Sequence, residues 1–251
     1  MKKPGVLLAM VLLVTTSCDQ SVVSLEYEVG RSLPHDEEAY TQGLLFYNGF
    51  LYESTGQYGS SGVRKVDLES GEVLQSVDLD FELFGEGLAL AGSELYQLTW
   101  KSGLAFVYDV TSLSLLRTVE YEGEGWGLCY DGESFFMSNG SNRLLRRSRD
   151  TFEVLDEVSV TKNGFSVSAL NELECVGAYI YANVFQTDRV VRIDKATGHV
   201  VGELDGFRLS MGARRAPNPE AVMNGIAFDP GRDVFFLTGK LWPVLYEVRL
   251  N

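Results

Sequence analysis

A short signature recurs along the chain: a polar or aromatic residue, a glycine and an aliphatic, each time opening a run of strand-like residues. It reads Gln42-Gly43-Leu44, Glu86-Gly87-Leu88, Trp126-Gly127-Leu128 and Asn224-Gly225-Ile226, with a further copy, Asn171-Glu172-Leu173, that has lost the glycine. From Leu44 the steps to Leu88, Leu128, Leu173 and Ile226 are 44, 40, 45 and 53 residues. Such spacing is that of four-stranded propeller blades. The loop Arg208 to Glu220 accounts for the longer last step.

Each copy continues alike. A turn such as Tyr47-Asn48-Gly49 or Tyr130-Asp131-Gly132 leads to a second strand that runs into polar residues, as in Leu51-Tyr52-Glu53-Ser54 and Leu95-Tyr96-Gln97-Leu98. Third strands follow at Val63 to Asp67, Ala105 to Asp109, Leu144 to Ser148 and Val190 to Asp194. Short strands between Gly, Asp and Asn turns, with little helical periodicity, predict an all-β five-bladed propeller. The last copy reaches Asn251 after three strands, while Ser24 to Arg31 alternates like a strand with no blade of its own. It is expected to supply the missing outer strand of blade five, closing the ring and covering an open sheet edge.

Residues 1–17 stand apart. Lys2 and Lys3 precede an apolar run from Val6 to Val14, too short to span a bilayer, and then Thr15-Thr16-Ser17-Cys18. This is an export signal. Cys18 after small residues resembles a lipoprotein acceptor site, although Thr15 stands where that motif usually carries Leu. We expect Cys18 to be the first mature residue and lipidated, with plain signal cleavage as the other reading, and residues 22–251 to form one propeller domain. The protein is then exported to the periplasm or cell envelope and held at a membrane. Asp19 points to retention at the inner membrane under the sorting rule of enteric bacteria.

A formal charge of −14 excludes a nucleic-acid surface, and Arg146-Arg147 and Arg214-Arg215 are too short to reverse that. Cys129 and Cys175 lie in apolar strand-like runs, and we expect two buried free thiols. His35 and His199 are the only histidines and show no metal-ligand spacing, which argues against Ser–His–Asp or Cys–His catalysis and a histidine-built zinc site. His199 reads as surface filler on an outer strand. Chemistry must run on carboxylate, amide, lysine and aromatic groups. In a propeller, equivalent points of each repeat converge on the axis. Here they carry Gln42, Glu86, Trp126, Asn171 with Glu172, and Asn224.

At these residues the chain resembles the glutaminyl cyclases of the plant and bacterial type. The matching segments are Pro34-His35-Asp36, Ala39-Tyr40-Thr41-Gln42-Gly43-Leu44, Tyr52-Glu53-Ser54-Thr55-Gly56, Phe84-Gly85-Glu86-Gly87-Leu88 and Leu98-Thr99-Trp100-Lys101. Further on come Glu124-Gly125-Trp126-Gly127-Leu128, Leu170-Asn171-Glu172-Leu173-Glu174, Asn224-Gly225-Ile226-Ala227 and Thr238-Gly239-Lys240-Leu241-Trp242-Pro243. The resemblance implies a funnel that binds the N-terminal glutamine of peptides and proteins and closes it to pyroglutamate with loss of ammonia. It implies Glu86 as acid/base, with Gln42, Asn171 and Lys240 as polar partners. Tyr40, Phe84, Trp100, Trp126 and Phe185 are the implied aromatic lining. Three positions depart from the family pattern: Phe185 where Trp is usual, Tyr40 where Phe is common, and Cys129 where a small hydroxyl residue is common. Trp242, beside Pro243, is expected to pack blades. No cofactor is expected for catalysis, the resemblance leaves room for a structural cation in the channel, and a monomer is expected. The competing class is a non-catalytic exported propeller that binds a peptide or protein partner, for which Glu86 would not be needed.

Overall fold

The computed structural model describes residues 21–213 and 217–251. The expected export signal, Cys18, Arg214 and Arg215 lie outside the described residues. Five four-stranded antiparallel units surround an axis, each ordered from inner to outer strand. Their inner strands are Thr41–Tyr47, Gly85–Ala91, Leu128–Tyr130, Leu170–Val176 and Met223–Asp229. The third strands, Gly62–Asp67, Leu104–Asp109, Arg143–Ser148 and Arg189–Asp194, fall within a residue of the sequence expectation.

Burial falls outward for a geometric reason. An inner strand such as Gly85–Ala91 is flanked by neighbouring blades and is buried along nearly its whole length, whereas outer strand Val73–Asp78 is mostly exposed. The apolar faces meet as five clusters, one at each blade interface. Leu88, Leu95 and Tyr108 of blade two, for example, pack on Tyr52 and Val63 of blade one. Each fully buried aliphatic or aromatic there contributes about 1.5–3 kcal/mol. The hairpin turn at Asn48 and Gly49 has φ of 50° and 85°, the left-handed pair that a two-residue connection between twisted strands requires.

The repeat glycines follow from how closely the inner strands approach. A Cβ on Gly43 would lie 2.5 Å from the Leu88 amide nitrogen, one on Gly87 2.5 Å from that of Leu128, and one on Gly127 would collide with the Asn171 carbonyl oxygen. Blade four lacks the glycine, and its Glu172 instead sends a carboxylate across the channel. That carboxylate accepts the Ile226 N–H at 2.8 Å and the Leu44 N–H at 3.4 Å, and so ties blade four to blades five and one.

Ring closure is as expected in kind but shifted in place. Tyr27–Pro34 pairs antiparallel with Val244–Leu250 and is the outer strand of blade five. The preceding Val23–Ser24 pairs in parallel with Val200–Asp205, the outer strand of blade four. The chain steps from one blade to the next at Leu25, whose side chain is buried in the cluster between them and whose N–H donates to the Glu203 carbonyl at 2.8 Å. Within the insertion after blade four, Phe207–Gly212 forms a short helix that buries Leu209 against the same cluster.

The cysteine expectation is corrected. Cys129 and Cys175 form a disulfide, with Cα atoms 5.4 Å apart. They sit on the inner strands of blades three and four, and adjacent inner strands bring them together although they are 46 residues apart in sequence. Reading each strand alone could not show that both face one interface.

Candidate active site

Four of the five inner strands carry their signature on an irregularity, while in blade three Trp126 and Gly127 precede the regular strand Leu128–Tyr130. The register slips between Thr41 and Gly43, Gly85 and Leu88, Leu170 and Leu173, and Met223 and Ile226. Residues in such bulges leave the ladder, and their side chains are re-aimed. Gln42, Glu86 and Asn171 thereby point into a cavity of about 330 Å³ at one end of the channel. Tyr40, Phe84, Trp100, Trp126, Phe185 and Lys240 line it as well, so the nine side chains singled out from the sequence share one site.

Two residues expected at the axis do not line this cavity. Glu172 is spent on the two backbone amides described above. Asn224 is buried behind Gln42, donating to the Thr41 carbonyl at 2.9 Å and to Gln42 Oε1 at 3.3 Å. Trp242 is fully buried, packs between blades four and five, and donates its indole N–H to the Ala221 carbonyl at 3.0 Å. Among the described residues no three His, Cys, Asp or Glu side chains gather as metal ligands.

The centre of the site is Glu86. It is 4% exposed; Gln42 Nε2 donates to its Oε1 at 3.0 Å, while its Oε2 has no partner. Burial raises its pKa well above the ordinary carboxyl value; Lys240 opposes the rise and Glu124 adds to it. Lys240 stands between two rings, with Nζ 4.5 Å from the Tyr40 centroid and 5.0 Å from that of Phe185. Burial lowers its pKa to about 8, against the opposing pull of Glu86 and Glu220. Tyr40 is pushed up to about 12, mainly by burial. Asn171 leaves a buried Oδ1 without a partner. A buried acceptor unsatisfied in this way costs about 1–3 kcal/mol, so it marks a place where something else is meant to donate.

The aromatic walls form edge-to-face pairs. Phe84 meets Tyr40, Tyr58 and Trp100 at centroid distances of 6.1, 5.4 and 5.6 Å, and Trp126 meets Phe185 at 5.6 Å. Three contributors were missed from sequence. Gln57 lines the cavity at a φ of 105°, a strained backbone for a residue other than glycine, directly after the motif glycine Gly56. Glu220 lines it at the end of the insertion. Glu124 opens the motif around Trp126, and its Oε2 accepts both indole N–H groups, from Trp100 at 2.9 Å and from Trp126 at 3.1 Å. The position of Glu124 in that motif was the available signal.

A buried charged set braces blade one behind the site. Glu53 accepts from His35 Nε2 at 3.0 Å, Arg64 Nε at 2.8 Å and Thr41 Oγ1 at 2.6 Å, and His35 Nδ1 donates to the Trp242 carbonyl at 2.6 Å. Burial alone would raise Glu53, but His35 and Arg64 hold it down at about 2. Thr41, thus fixed, precedes Gln42.

Residues 6–250 match the sequence profile of the glutamine cyclotransferase family. A glutaminyl-peptide cyclotransferase of Arabidopsis thaliana is 42% identical over 239 residues, covering 94% of this chain and 75% of that protein. The crystal structure of Myxococcus xanthus glutaminyl cyclase superposes with a TM-score of 0.88 at 43% identity, covering 92% of this chain and 99% of that one. By sequence and by fold alike, the chain belongs to the glutamine cyclotransferase family.

Proposed function

We propose that this protein is a glutaminyl-peptide cyclotransferase that converts N-terminal glutamine of peptides and proteins to pyroglutamate and ammonia. Two relatives named for that activity, at 42% and 43% identity, support this reading. The observation that carries it is the unpartnered, buried Oε2 of Glu86 at the floor of an aromatic funnel. Nucleophile and electrophile lie in one residue, so the site need only hold the reactive rotamer and move protons; no covalent nucleophile and no cofactor is required.

The α-amine nitrogen attacks the side-chain amide carbon, forming the ring C–N bond. Its proton passes to Glu86 Oε2, and the carbonyl oxygen becomes an oxyanion. The Lys240 ammonium supplies the positive charge that stabilises this oxyanion in a dry site. The C–N bond to the amide nitrogen then breaks, and Glu86 returns the proton so that ammonia leaves. A free α-amine has a pKa of roughly 7.7–8.0. Burial moves Glu86 from the ordinary carboxyl value in the direction of the amine's, the direction that general acid–base catalysis favours. Gln42, held by Asn224 on one side, orients Glu86 on the other. Asn171 Oδ1 accepts from the substrate's nitrogen groups, while Trp126, Phe185 and Trp100 enclose its carbon skeleton.

Export completes the proposal. The first mature residue is Cys18, acylated and anchored to a membrane of the cell envelope, and the propeller acts in the periplasm as a monomer. The Cys129–Cys175 disulfide supports an oxidising compartment. Recovery of a Cys18→Ala variant in the soluble fraction, with the parent in membranes, checks the anchor. For the reaction, ammonia and pyroglutamate are measured from Gln-initiated dipeptides with the parent and Glu86→Gln. Turnover should fall by about 10²–10⁴ in the variant. Absence of turnover from the folded parent would leave a peptide-binding propeller.

A further inference from the structure

Glu124 belongs to none of the steps above, yet it makes an unusual contact. A single carboxylate oxygen, Oε2, receives indole N–H groups from two walls of the cavity: Trp100, which follows the second strand of blade two, and Trp126, which precedes the inner strand of blade three. Its other oxygen lies 3.9 Å from Lys101 Nζ, and that ammonium sits 3.8 Å above the Trp100 ring. Trp100 and Trp126 come from different blades, and Glu124 is the side chain that joins them. Apart from it, Trp100 meets the edge of Phe84 and the Lys101 ammonium, while Trp126 meets Phe185 edge-on and lies close against Gly140.

We propose that Glu124 is a positioning residue that fixes the angle between the two indole walls and so sets the width of the slot that receives the substrate glutamine. A charge-assisted hydrogen bond is about twice as strong as a neutral one, and a shared acceptor makes the two rings move together. Preorganised rings lose less freedom when a ligand enters, so the effect falls on affinity more than on the chemical step. Lys101 covers the outer face of Trp100 by a cation–π contact and completes the brace. The kinetic part of this inference rests on the cyclotransferase reading; the structural part does not.

The test uses the chain's three tryptophans as reporters. In 15N-tryptophan-labelled protein they give three indole N–H resonances, assigned by single Trp→Phe variants. Glu124→Ala should move the Trp100 and Trp126 signals together and leave Trp242, which donates to the Ala221 carbonyl, in place. Glu124→Gln retains an acceptor oxygen and should leave both signals within a small shift of the parent. In kinetics with a Gln-initiated dipeptide, Glu124→Ala should raise KM about tenfold with kcat within about twofold, and Glu124→Gln should restore most of the loss. Unmoved indole signals in Glu124→Ala would overturn the clamp whether or not the protein turns over substrate. So would a Glu124→Gln variant as impaired in KM as the alanine, since charge and not the shared acceptor would then be at work. If the parent shows no turnover, the resonances alone decide, and the cyclotransferase reading fails separately.

Discussion

The residues at the floor of the funnel are placed at some cost to the fold. Glu86 is buried with one oxygen unpaired, and its raised pKa has a consequence for stability. In the unfolded chain a glutamate ionises near about 4.3, whereas in the folded state it keeps its proton to higher pH. Between those values the folded state binds the extra proton, so folding stability falls as pH rises. Glu86→Gln removes that penalty. We expect its melting temperature to exceed the parent's by a few degrees at pH 7–8, with the gap closing below about pH 4. A thermal scan of both proteins across that range checks the sign; a variant less stable at pH 8 would mean that the carboxylate is better accommodated than its surroundings suggest. The brace behind blade one has the opposite character. Glu53 is held low by His35 and Arg64, so its contribution is present above about pH 4 and is lost only as pH falls towards 2. The aromatic and polar identity of the site was legible because Gln42, Glu86, Trp126 and Asn171 recur at one point of a repeat. Gln57 and Glu220 were not, since their place depends on how loops between strands fold over the cavity, which no spacing encodes; Glu124 stood in a matching motif, but its two indole partners come together only in the fold.

At the scale of the strand, function and packing share one device. The bulges that push Gln42 and Glu86 out of their ladders hold Gly43 and Gly87, which let the next inner strand approach. Changing such a glycine therefore acts on both. Gly127→Ala would set a methyl group against the Asn171 carbonyl oxygen, between Trp126 and Asn171. It should destabilise the protein by about 1–3 kcal/mol, the usual cost of overpacking, and lower kcat/KM as well. Gly49→Ala is the control: its Cβ meets nothing within 4 Å, and at φ 85° it should cost only about 1 kcal/mol with activity kept. Chemical denaturation of the two variants side by side would decide. The glycine signature was visible in sequence as a repeat. What could not be read was why one copy lacks it, because Glu172 is explained only by amides that belong to two other blades. The disulfide escaped for the same reason: pairing between Cys129 and Cys175 is a property of neighbouring blades and not of either strand.

For the molecule as a whole, five blades without closure would be an open arc with blade five lacking an outer strand. Tyr27–Pro34 supplies it, with pairing that runs from Tyr27 opposite Leu250 to Pro34 opposite Val244. Deleting residues 22–34 should destabilise the entire ring and not one blade, because the cluster between blades five and one includes Leu33 and that between blades four and five includes Leu25. The expected result is loss of soluble protein or a fall in melting temperature of roughly 10 °C or more in a single transition. A separate early transition with the rest unchanged would show that blade five melts alone. The five-fold plan and the closing strand followed from the count of strands after the last repeat. The crossover at Leu25 did not, since a two-residue patch on blade four leaves no periodic trace.

That crossover has a mechanical meaning. A pull on the N-terminal end is met first by Val23 and Ser24, which are attached to blade four at Gly202 and Glu203. Only when those two give way does the load reach the longer seam on blade five. A load applied at that end is thus borne by two residue pairs on blade four before it reaches the strand that closes the ring. The short strand acts as a strain relief, in the way that a clamp on a cable spares the joint behind it.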